Sequence, residues 1–199
     1  PIVDVLGLLV ACGAPERILY EARPHIGTNR LPKVVTALRE RLEAAGVEVR
    51  FDTRVDDLIV VDGRIEGVIL NGGERLEAKN VVLATGHSAR DVYRMLDRRG
   101  VAIEAKPFAL GVRIEHPQAV INRIQHGRWA GHENLGSAPY ALKRTAGEVG
   151  TFSFCMCPGG FIVAAATEAD GVVVNGMSPS ARNSRYANSG MVVTVGPED

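Results

Sequence analysis

The sequence has few cysteines, no excess of charge of either sign and no long apolar run. Three cysteines in 199 residues are too few for a secreted disulfide scaffold, so a reducing cytoplasm is the expected location. Lys and Arg together number 23, as do Asp and Glu, so no net charge favours nucleic acid or an anionic membrane. The longest apolar runs, such as residues 161–166, are far shorter than the roughly 20 residues of a membrane span. Neither nucleic acid nor a membrane is an expected partner.

Two further features are missing, and both concern the ends of a longer protein. The chain has no initiator methionine and no basic signal-peptide start, because Pro1 leads directly into an apolar segment. This start predicts a piece of a longer protein, whose amino- and carboxy-terminal segments would be partners of this chain. The phosphate-binding pattern G-x-G-x-x-G is also absent, since Gly7 and Gly13 are too far apart and follow no strand.

The first half of the sequence alternates helix and strand patterns in an order typical of α/β proteins. Apolar residues at helical spacing predict helices at residues 2–11 and 30–45, and Ser88 predicts a capped helix over 88–100. Strands are predicted at residues 17–21, 47–51, 55–61, 64–70, 75–78 and 80–85. Asp62-Gly63 and Asn71-Gly72 are typical hairpin turns, so the segments from 55 to 78 predict an antiparallel meander.

The last of these strands has the most informative surroundings. Residues 81–84 are apolar without alternation, which predicts a strand covered on both faces in a parallel sheet. Its carboxyl end would present Thr85 and Gly86 beside the first turn of a helix, where α/β sheets bind ligands. Gly86 would let a cofactor contact the backbone. The same pattern is also typical of a plain strand-to-helix turn.

The second half of the sequence predicts mostly strands. These lie at residues 108–115, 152–157, 161–167, 172–175 and 191–195, with a loop over 178–190. Residues 116–150 show no clear period. A β-rich part therefore follows the α/β part.

Ordered motifs along the whole chain resemble a known protein family. They are PHIGT (24–28), RFDTRV (50–55), VVLATGHSARD (81–91), KPFALGVRIEHPQAVIN (106–122), FSFCMCPGG (152–160), VVVNGMS (172–178) and ANS (187–189). The family is that of FAD-dependent, or NAD-FAD-utilising, dehydrogenases, which is similar to the glutathione-reductase-type flavoproteins. In those proteins an amino-terminal G-x-G-x-x-G loop and a carboxy-terminal Gly-Asp segment hold FAD, and both are missing here.

The resemblance implies a fold class and a function. Residues 1–103 would form a partial FAD/NAD(P)-binding, Rossmann-like α/β domain with an antiparallel meander. Residues 104–199 would form an incomplete, β-rich (α+β) substrate domain. The parent protein would transfer hydride through the flavin N5 to or from an unknown small-molecule substrate, with FAD as cofactor and NAD(P) as a candidate electron donor.

The resemblance also implies cofactor contacts. The backbone of Val55 would contact the adenine, and Ala84, Thr85 and Gly86 would lie near the FAD. Thr28, at a helix start, is a further candidate contact. The alternatives are a core residue of the meander for Val55 and an ordinary helix start for Thr28.

Two residues in the second half are candidates for catalysis. Arg113 and His116 could supply a positive charge near the reduced flavin and a proton for the substrate. The alternative is an exposed ion pair between Arg113 and Glu115, followed by a turn histidine. Asn175 and Arg182, together with Ser178 and Asn183, form a polar cluster suited to substrate or flavin hydrogen bonds, or equally to a solvated loop.

Cys155 and Cys157 are two residues apart, which on a regular strand points both sulfurs to one face. A redox pair or two metal ligands would use that arrangement. The spacing is not the usual C-x-x-C, so two packed thiols are the favoured interpretation and no metal is predicted.

Without a loop for the diphosphate, the chain alone is expected to bind FAD weakly or not at all. The alternative function is a folded, non-enzymatic interaction module. Unpaired strand edges and apolar faces also predict self-association.

Overall fold

A computed structural model describes residues 2–147 and 149–199. It divides the chain into two compact units. The first unit combines residues 2–47 with Pro107–Asp199, and the second unit consists of Glu48–Lys106. The domain boundary predicted between residues 103 and 104 stays a prediction.

The amino-terminal part of the first unit is helical. Helices α1 (Ile2–Ala11) and α2 (Leu31–Ala44) confirm the two predicted helices, and Ile18 and Val34 are buried between their apolar stripes. The strand predicted at residues 17–21 is wrong, because Glu16–Leu19 forms a 3₁₀ helix. The Ile18 amide donates to the Pro15 carbonyl, so this segment forms hydrogen bonds within its own turn instead of to a neighbouring strand.

The second unit is built on the predicted meander. Strands β1 (Val55–Val61), β2 (Arg64–Leu70) and β3 (Glu74–Glu77) pair antiparallel in the order β1-β2-β3, which confirms that prediction. Helix α3 (Arg90–Arg98) covers the sheet, and its Met95 is buried against Leu58 of β1. This core holds the second unit together.

Two predicted strands of the second unit are absent. Residues 47–51 and 80–85 have no strand partner among the described residues, and Val82 is 90% exposed. A strand buried in a parallel sheet needs hydrogen-bonded neighbours on its edges, and the described chain offers none to this run. Residues 82–84 are exposed, and only Val81 packs against the core of the second unit, so the predicted burial of the whole run is wrong.

The predicted serine cap of α3 is also wrong. The helix begins at Arg90 with Ala89 at the N-cap, and this N-cap residue makes no side-chain hydrogen bond. The Ser88 hydroxyl lies 3.2 Å from Nδ1 of His87 instead. The Ser88 hydroxyl therefore interacts with the neighbouring His87 side chain, whereas the sequence pattern predicted a hydrogen bond to the helix backbone.

An ion pair links the meander to α3 and makes the stability of the second unit depend on pH. Arg99 donates to both carboxylate oxygens of Asp57, with 2.7 Å from Nε to Oδ1, and this lowers the pKa of Asp57. A lowered pKa in the folded state stabilises the fold at neutral pH, and this stabilisation is lost as the pH falls through that pKa. We expect Asp57→Asn to lower the free energy of unfolding at pH 7 by about 0.2–1 kcal/mol, as for surface ion pairs.

The check is denaturant unfolding of both proteins at neutral and acid pH. The difference should shrink once the pH drops below the ordinary pKa of 3.8. Glu104→Gln, at an exposed position without regular structure, serves as the control. A loss from Asp57→Asn that is equal at all pH values would contradict the assignment.

The remainder of the first unit is a four-stranded antiparallel sheet with a separate hairpin. Strand β4 (Phe108–Pro117) leads into helix α4 (Gln118–His126), and β5 (Lys143–Ala146), β6 (Val149–Cys157) and β9 (Tyr186–Val195) complete a sheet ordered β4-β9-β6-β5. Strands β7 (Phe161–Ala164) and β8 (Val174–Met177) pair with each other. The predicted loop over 178–190 is too long, because β9 already begins at Tyr186.

The start of β9 is the most buried part of this sheet. Strands β4 and β6 flank it on both sides, and Ala187, Asn188 and Ser189 are all 0% exposed. The two polar side chains find partners there, because Oδ1 of Asn188 accepts from Arg113 and the Ser189 hydroxyl donates to the Phe154 carbonyl. The motif ANS is thus a core element of the first unit. Helix α4 packs its Ile121 against Ala187.

The structure describes four α-helices of 9 to 14 residues. None of the helices in residues 2–147 and 149–199 is both long and apolar enough to cross a bilayer.

One face of the edge strand β4 carries exposed apolar side chains. Phe108, Leu110 and Val112 alternate along it and are all exposed. Such a stripe on a sheet edge favours contact with another apolar surface. The predicted self-association has this stripe as its candidate surface and stays a prediction.

Candidate functional site

Strand β6 contains a β-bulge at its two cysteines, and these differ in exposure. Phe154 pairs with Gly190 and Cys157 pairs with Asn188, so Cys155 and Met156 together face one residue of β9. Cys155 takes a positive φ of 49° within the bulge. Cys155 is exposed and Cys157 is buried. The prediction that both sulfurs share one face stays a prediction.

Arg113 is held in place beside the buried thiol. Its Nε donates to Oδ1 of Asn188 at 3.0 Å, and its Nη2 donates to the Cys155 carbonyl at 2.6 Å. The same Nη2 lies 3.8 Å from Sγ of Cys157. A side chain at Gly176 would overlap the guanidinium group, so the hairpin β7-β8 leaves room for it. The described partners of Arg113 are therefore these groups, not Glu115.

The environment of Cys157 keeps its thiol protonated. Burial raises the pKa of Cys157 first, nearby Cys155 raises it further, and Arg113 opposes both by favouring the thiolate. No group of three or more His, Cys, Asp or Glu residues among 2–147 and 149–199 is placed to hold a metal ion. Cys157 is thus a packed thiol beside a cation.

This difference predicts unequal reactivity of the two thiols. Cys155 should react with iodoacetamide at least about tenfold faster than Cys157, because only an accessible thiolate is a good nucleophile. The measurement compares alkylation of Cys157→Ser, which keeps Cys155, with that of Cys155→Ser. Equal rates in the two variants would contradict the difference in exposure between the two thiols.

His116 lies on the other side of β4 from Arg113. The two residues are three positions apart in a regular strand, and successive side chains of a strand alternate between faces. Nε2 of His116 shares a hydrogen bond of 2.7 Å with the Tyr140 hydroxyl, and the two rings pack edge to face. The structure therefore does not bring the two catalytic candidates together.

The start of α2 meets the loop before β9, although the two segments are about 150 residues apart. The Thr28 amide donates to the Ser178 carbonyl at 3.1 Å, and the His25 ring donates to the Pro179 carbonyl at 3.2 Å. Asn29 exchanges two hydrogen bonds with Ser180. Two separate candidates, Thr28 and the polar cluster with Arg182, therefore belong to one region of the first unit.

This region lines an open cavity of about 190 Å³. Its wall includes Arg17, Glu21, His25, Ser137, Ser180 and Arg182. Nε of Arg182 is buried and has no hydrogen-bond partner among the described residues. Burial is the main cause that lowers the pKa of Arg182. Neither Arg17 nor His25 stood out in the sequence as a partner of Arg182, because the residues meet only through the fold.

Asn175 lies outside this cavity. It is exposed on β8, and its Oδ1 accepts from the amide of Gly176 at 2.8 Å. Its neighbour Gly176 lies against the Arg113 guanidinium group, and Asn175 is not among the residues that line the cavity with Arg182.

The other predicted cofactor contacts lie in the second unit. Val55 begins β1 and lines an open pocket of about 290 Å³ whose other side is formed by Asp91 and Met95 of α3. Ala84, Thr85 and Gly86 are exposed, and no atom lies within 4 Å of the position of a Cβ on Gly86. The φ of Gly86 is +77°, so a side chain there would be strained. Both backbone segments are open to a ligand, but the segment 84–86 does not line the pocket.

Two family models match adjacent parts of this chain. Residues 6–108 match the model described as pyridine nucleotide-disulphide oxidoreductase. Residues 107–199 match the model described as FAD-dependent protein, C-terminal domain-like.

Curated proteins from several bacteria are similar to it. An uncharacterized protein of Clostridium beijerinckii is 46% identical over 197 residues, which are 98% of this chain and 37% of that protein. Protein FixC of Escherichia coli is 38% identical over 88 residues, or 42% of this chain and 19% of FixC. The tRNA uridine 5-carboxymethylaminomethyl modification enzyme MnmG of Lactobacillus delbrueckii is 61% identical over 36 residues, or 18% of this chain and 6% of MnmG. The chain thus spans little more than a third of the first relative and less of the others.

Proposed function

From the premise that this chain belongs to the pyridine nucleotide-disulphide oxidoreductase family, we propose that it functions as part of an FAD-dependent oxidoreductase. The proposed substrate is a small molecule. The observation that carries the proposal is the pair of adjoining family matches, of which the second describes an FAD-dependent protein. Reducing equivalents from NAD(P)H and hydride transfer through the flavin are the finer parts of the proposal.

The residues present fit part of an FAD molecule. The exposed backbone at Ala84–Gly86 and the strand start at Val55 offer peptide groups to a flat ring, with no side chain at Gly86 to obstruct it. The G-x-G-x-x-G loop that grips a diphosphate does not occur in the sequence. This chain would therefore contribute contacts to the rings of FAD, and the diphosphate would need another anchor.

FAD, when bound, supplies a hydride acceptor and donor at N5 of its flavin ring. The side chains of this chain would bind and orient the substrate and move protons. Arg113 is fixed by Asn188 and by the Cys155 carbonyl, so it suits a permanent positive charge. His116, hydrogen-bonded to Tyr140, is suited to passing a proton, and it would do so on the opposite face of β4.

A titration of the chain with FAD tests the proposal. Nuclear magnetic resonance of the labelled protein should show weak binding, with shifts concentrated at Val55 and residues 84–86. Gly86→Leu should weaken binding about tenfold or more. Gly100→Leu is the matched control, because Gly100 also has a positive φ and open space around a Cβ. A response concentrated elsewhere in the chain, or equal affinities of Gly86→Leu and Gly100→Leu, would contradict the proposed contacts.

A further inference from the structure

We infer that the cavity bordered by Arg17, His25 and Arg182 is a binding site for a small anion that carries a phosphate or carboxylate group. The site lies wholly within the first unit. That its ligand is the acidic group of the substrate rests on the function proposed above, whereas the site itself does not.

The charges around the cavity do not balance. Two guanidinium groups, Arg17 and Arg182, face one carboxylate, Glu21. Nε of Arg17 lies 3.5 Å from Oε1 of Glu21, which makes an ion pair but no hydrogen bond. One positive charge is therefore left over, and protonation of His25 would add another.

Hydrogen-bond donors are also left over. The Nε atoms of both Arg17 and Arg182 are buried and make no hydrogen bond within the part of the chain that the structure describes. Arginine keeps its charge under protein conditions, and a buried donor without an acceptor is costly. An anion in the cavity would supply acceptors and charge together.

The backbone on this side of the cavity is firmly held, so the site is built before a ligand arrives. The Ser137 hydroxyl donates to the Arg182 carbonyl at 2.5 Å, and the Arg182 amide donates to the Pro179 carbonyl at 3.0 Å. A side chain at Gly27 would lie 2.5 Å from Cα of Ser180, so the glycine permits this close approach. Preorganised donors bind an anion without a cost of rearrangement.

The size of the cavity limits the ligand. A volume of about 190 Å³ is roughly six times the ~30 Å³ share of one water molecule. That holds a phosphate group or a carboxylate on a short carbon chain, and it is too small for a whole dinucleotide.

His25 provides a probe of the site that is independent of activity. Burial lowers its pKa most, and the charges of Arg182 and Arg17 lower it further, against opposing effects from the Pro179 carbonyl and Glu21. An anion placed among these groups favours the protonated ring. Binding should therefore raise the pKa of His25 and should strengthen as the pH falls.

The experiment titrates the whole chain with sulfate, inorganic phosphate and acetate at constant ionic strength, and follows the histidine rings by nuclear magnetic resonance. We expect the pKa of His25 to rise with the bound oxyanion. Arg182→Gln should weaken binding about tenfold. Arg128→Gln, which removes an arginine stacked on Trp129 at 5.0 Å, should leave it unchanged.

A variant that binds the oxyanion more tightly is also needed, because weaker binding by Arg182→Gln could result from misfolding, whereas tighter binding could not. Glu21→Gln removes the competing carboxylate and should tighten oxyanion binding severalfold. Unaltered His25 titration in saturating sulfate, or equal affinities of Arg182→Gln and Arg128→Gln, would overturn the site. Preference between phosphate and acetate distinguishes the two ligand groups. FAD titration of the same sample separates failure of this site from failure of the proposed oxidoreductase function.

Discussion

Replacing Gly159 by Ala should destabilise the first unit by about 3 kcal/mol, since strain at positive φ and overpacking each cost about 1–3 kcal/mol. Gly159 follows the bulged strand β6 with a φ of +53°, and an added Cβ would overlap the carbonyl group of Arg182. The obstacle is backbone, so no side-chain rotation relieves it.

The same turn carries hydrogen bonds that a shift would break. The Gly159 amide donates to Oε1 of buried Gln118 at 2.7 Å, and its carbonyl accepts from the Ser184 amide. Movement of the Arg182 backbone would also distort the anion cavity. We therefore expect Gly159→Ala to lose oxyanion binding along with stability.

Unfolding of the first unit is measurable through Trp129, the only tryptophan of the chain. Denaturant titration of its fluorescence should give the loss in free energy directly. Gly13→Ala is the control, because Gly13 has a φ of +99° in the same unit but open space around a Cβ. It isolates the strain of positive φ, about 1 kcal/mol. Equal losses from the two substitutions would show that the contact with Arg182 contributes nothing.

Leu58→Ala should cost the second unit about 2–5 kcal/mol, the range for a large-to-small change in a core. Leu58 is 5% exposed and packs with Val68, Leu70 and Met95. These residues are the main buried cluster that joins the meander to α3. A cavity at this position therefore removes contacts on both sides.

Amide hydrogen exchange in β1 and β2 reports this loss locally. The control is Val82→Ala at a side chain that is 90% exposed, which should change the stability by no more than about 0.5 kcal/mol. A loss at Val82 as large as that at Leu58 would mean that this side chain is buried after all. The pair of substitutions thus tests the largest difference between sequence and structure.

The elements that sequence predicted well are those fixed by local pattern. The meander follows from alternating apolar residues and from Asp62 and Asn71, whose positive φ angles make the two turns. Helix α2 follows from its apolar period and from Gly46 after its end. Each of these depends on residues within a few positions of one another.

Two of the elements that were missed depend on residues far apart in the chain. The run 81–84 has a strand pattern, but a strand also needs partners, and a single sequence does not show which residues provide them. The bulge at Cys155 depends on how β6 is paired with β9. No local signal marks an extra residue in a strand of this kind.

The candidate site shows the same division. Thr28 and Arg182 were each singled out for polar character near an element end, yet their common location arises from contacts across about 150 residues. Arg17 had no signal at all, because the residues that it meets at the cavity come from distant segments of the chain. Arg113 and His116 looked like neighbours in sequence, but the alternation of a strand separates them.

The strand order of the first unit has a consequence for how the protein is made. Strand β9 lies between β4 and β6, although it is the last of the sheet to leave the ribosome. Until it arrives, β4 and β6 both have an open edge, and the exposed stripe at Phe108 to Val112 lies on one of them. The growing chain is therefore most in need of chaperone protection during synthesis of the roughly 70 residues between β4 and β9.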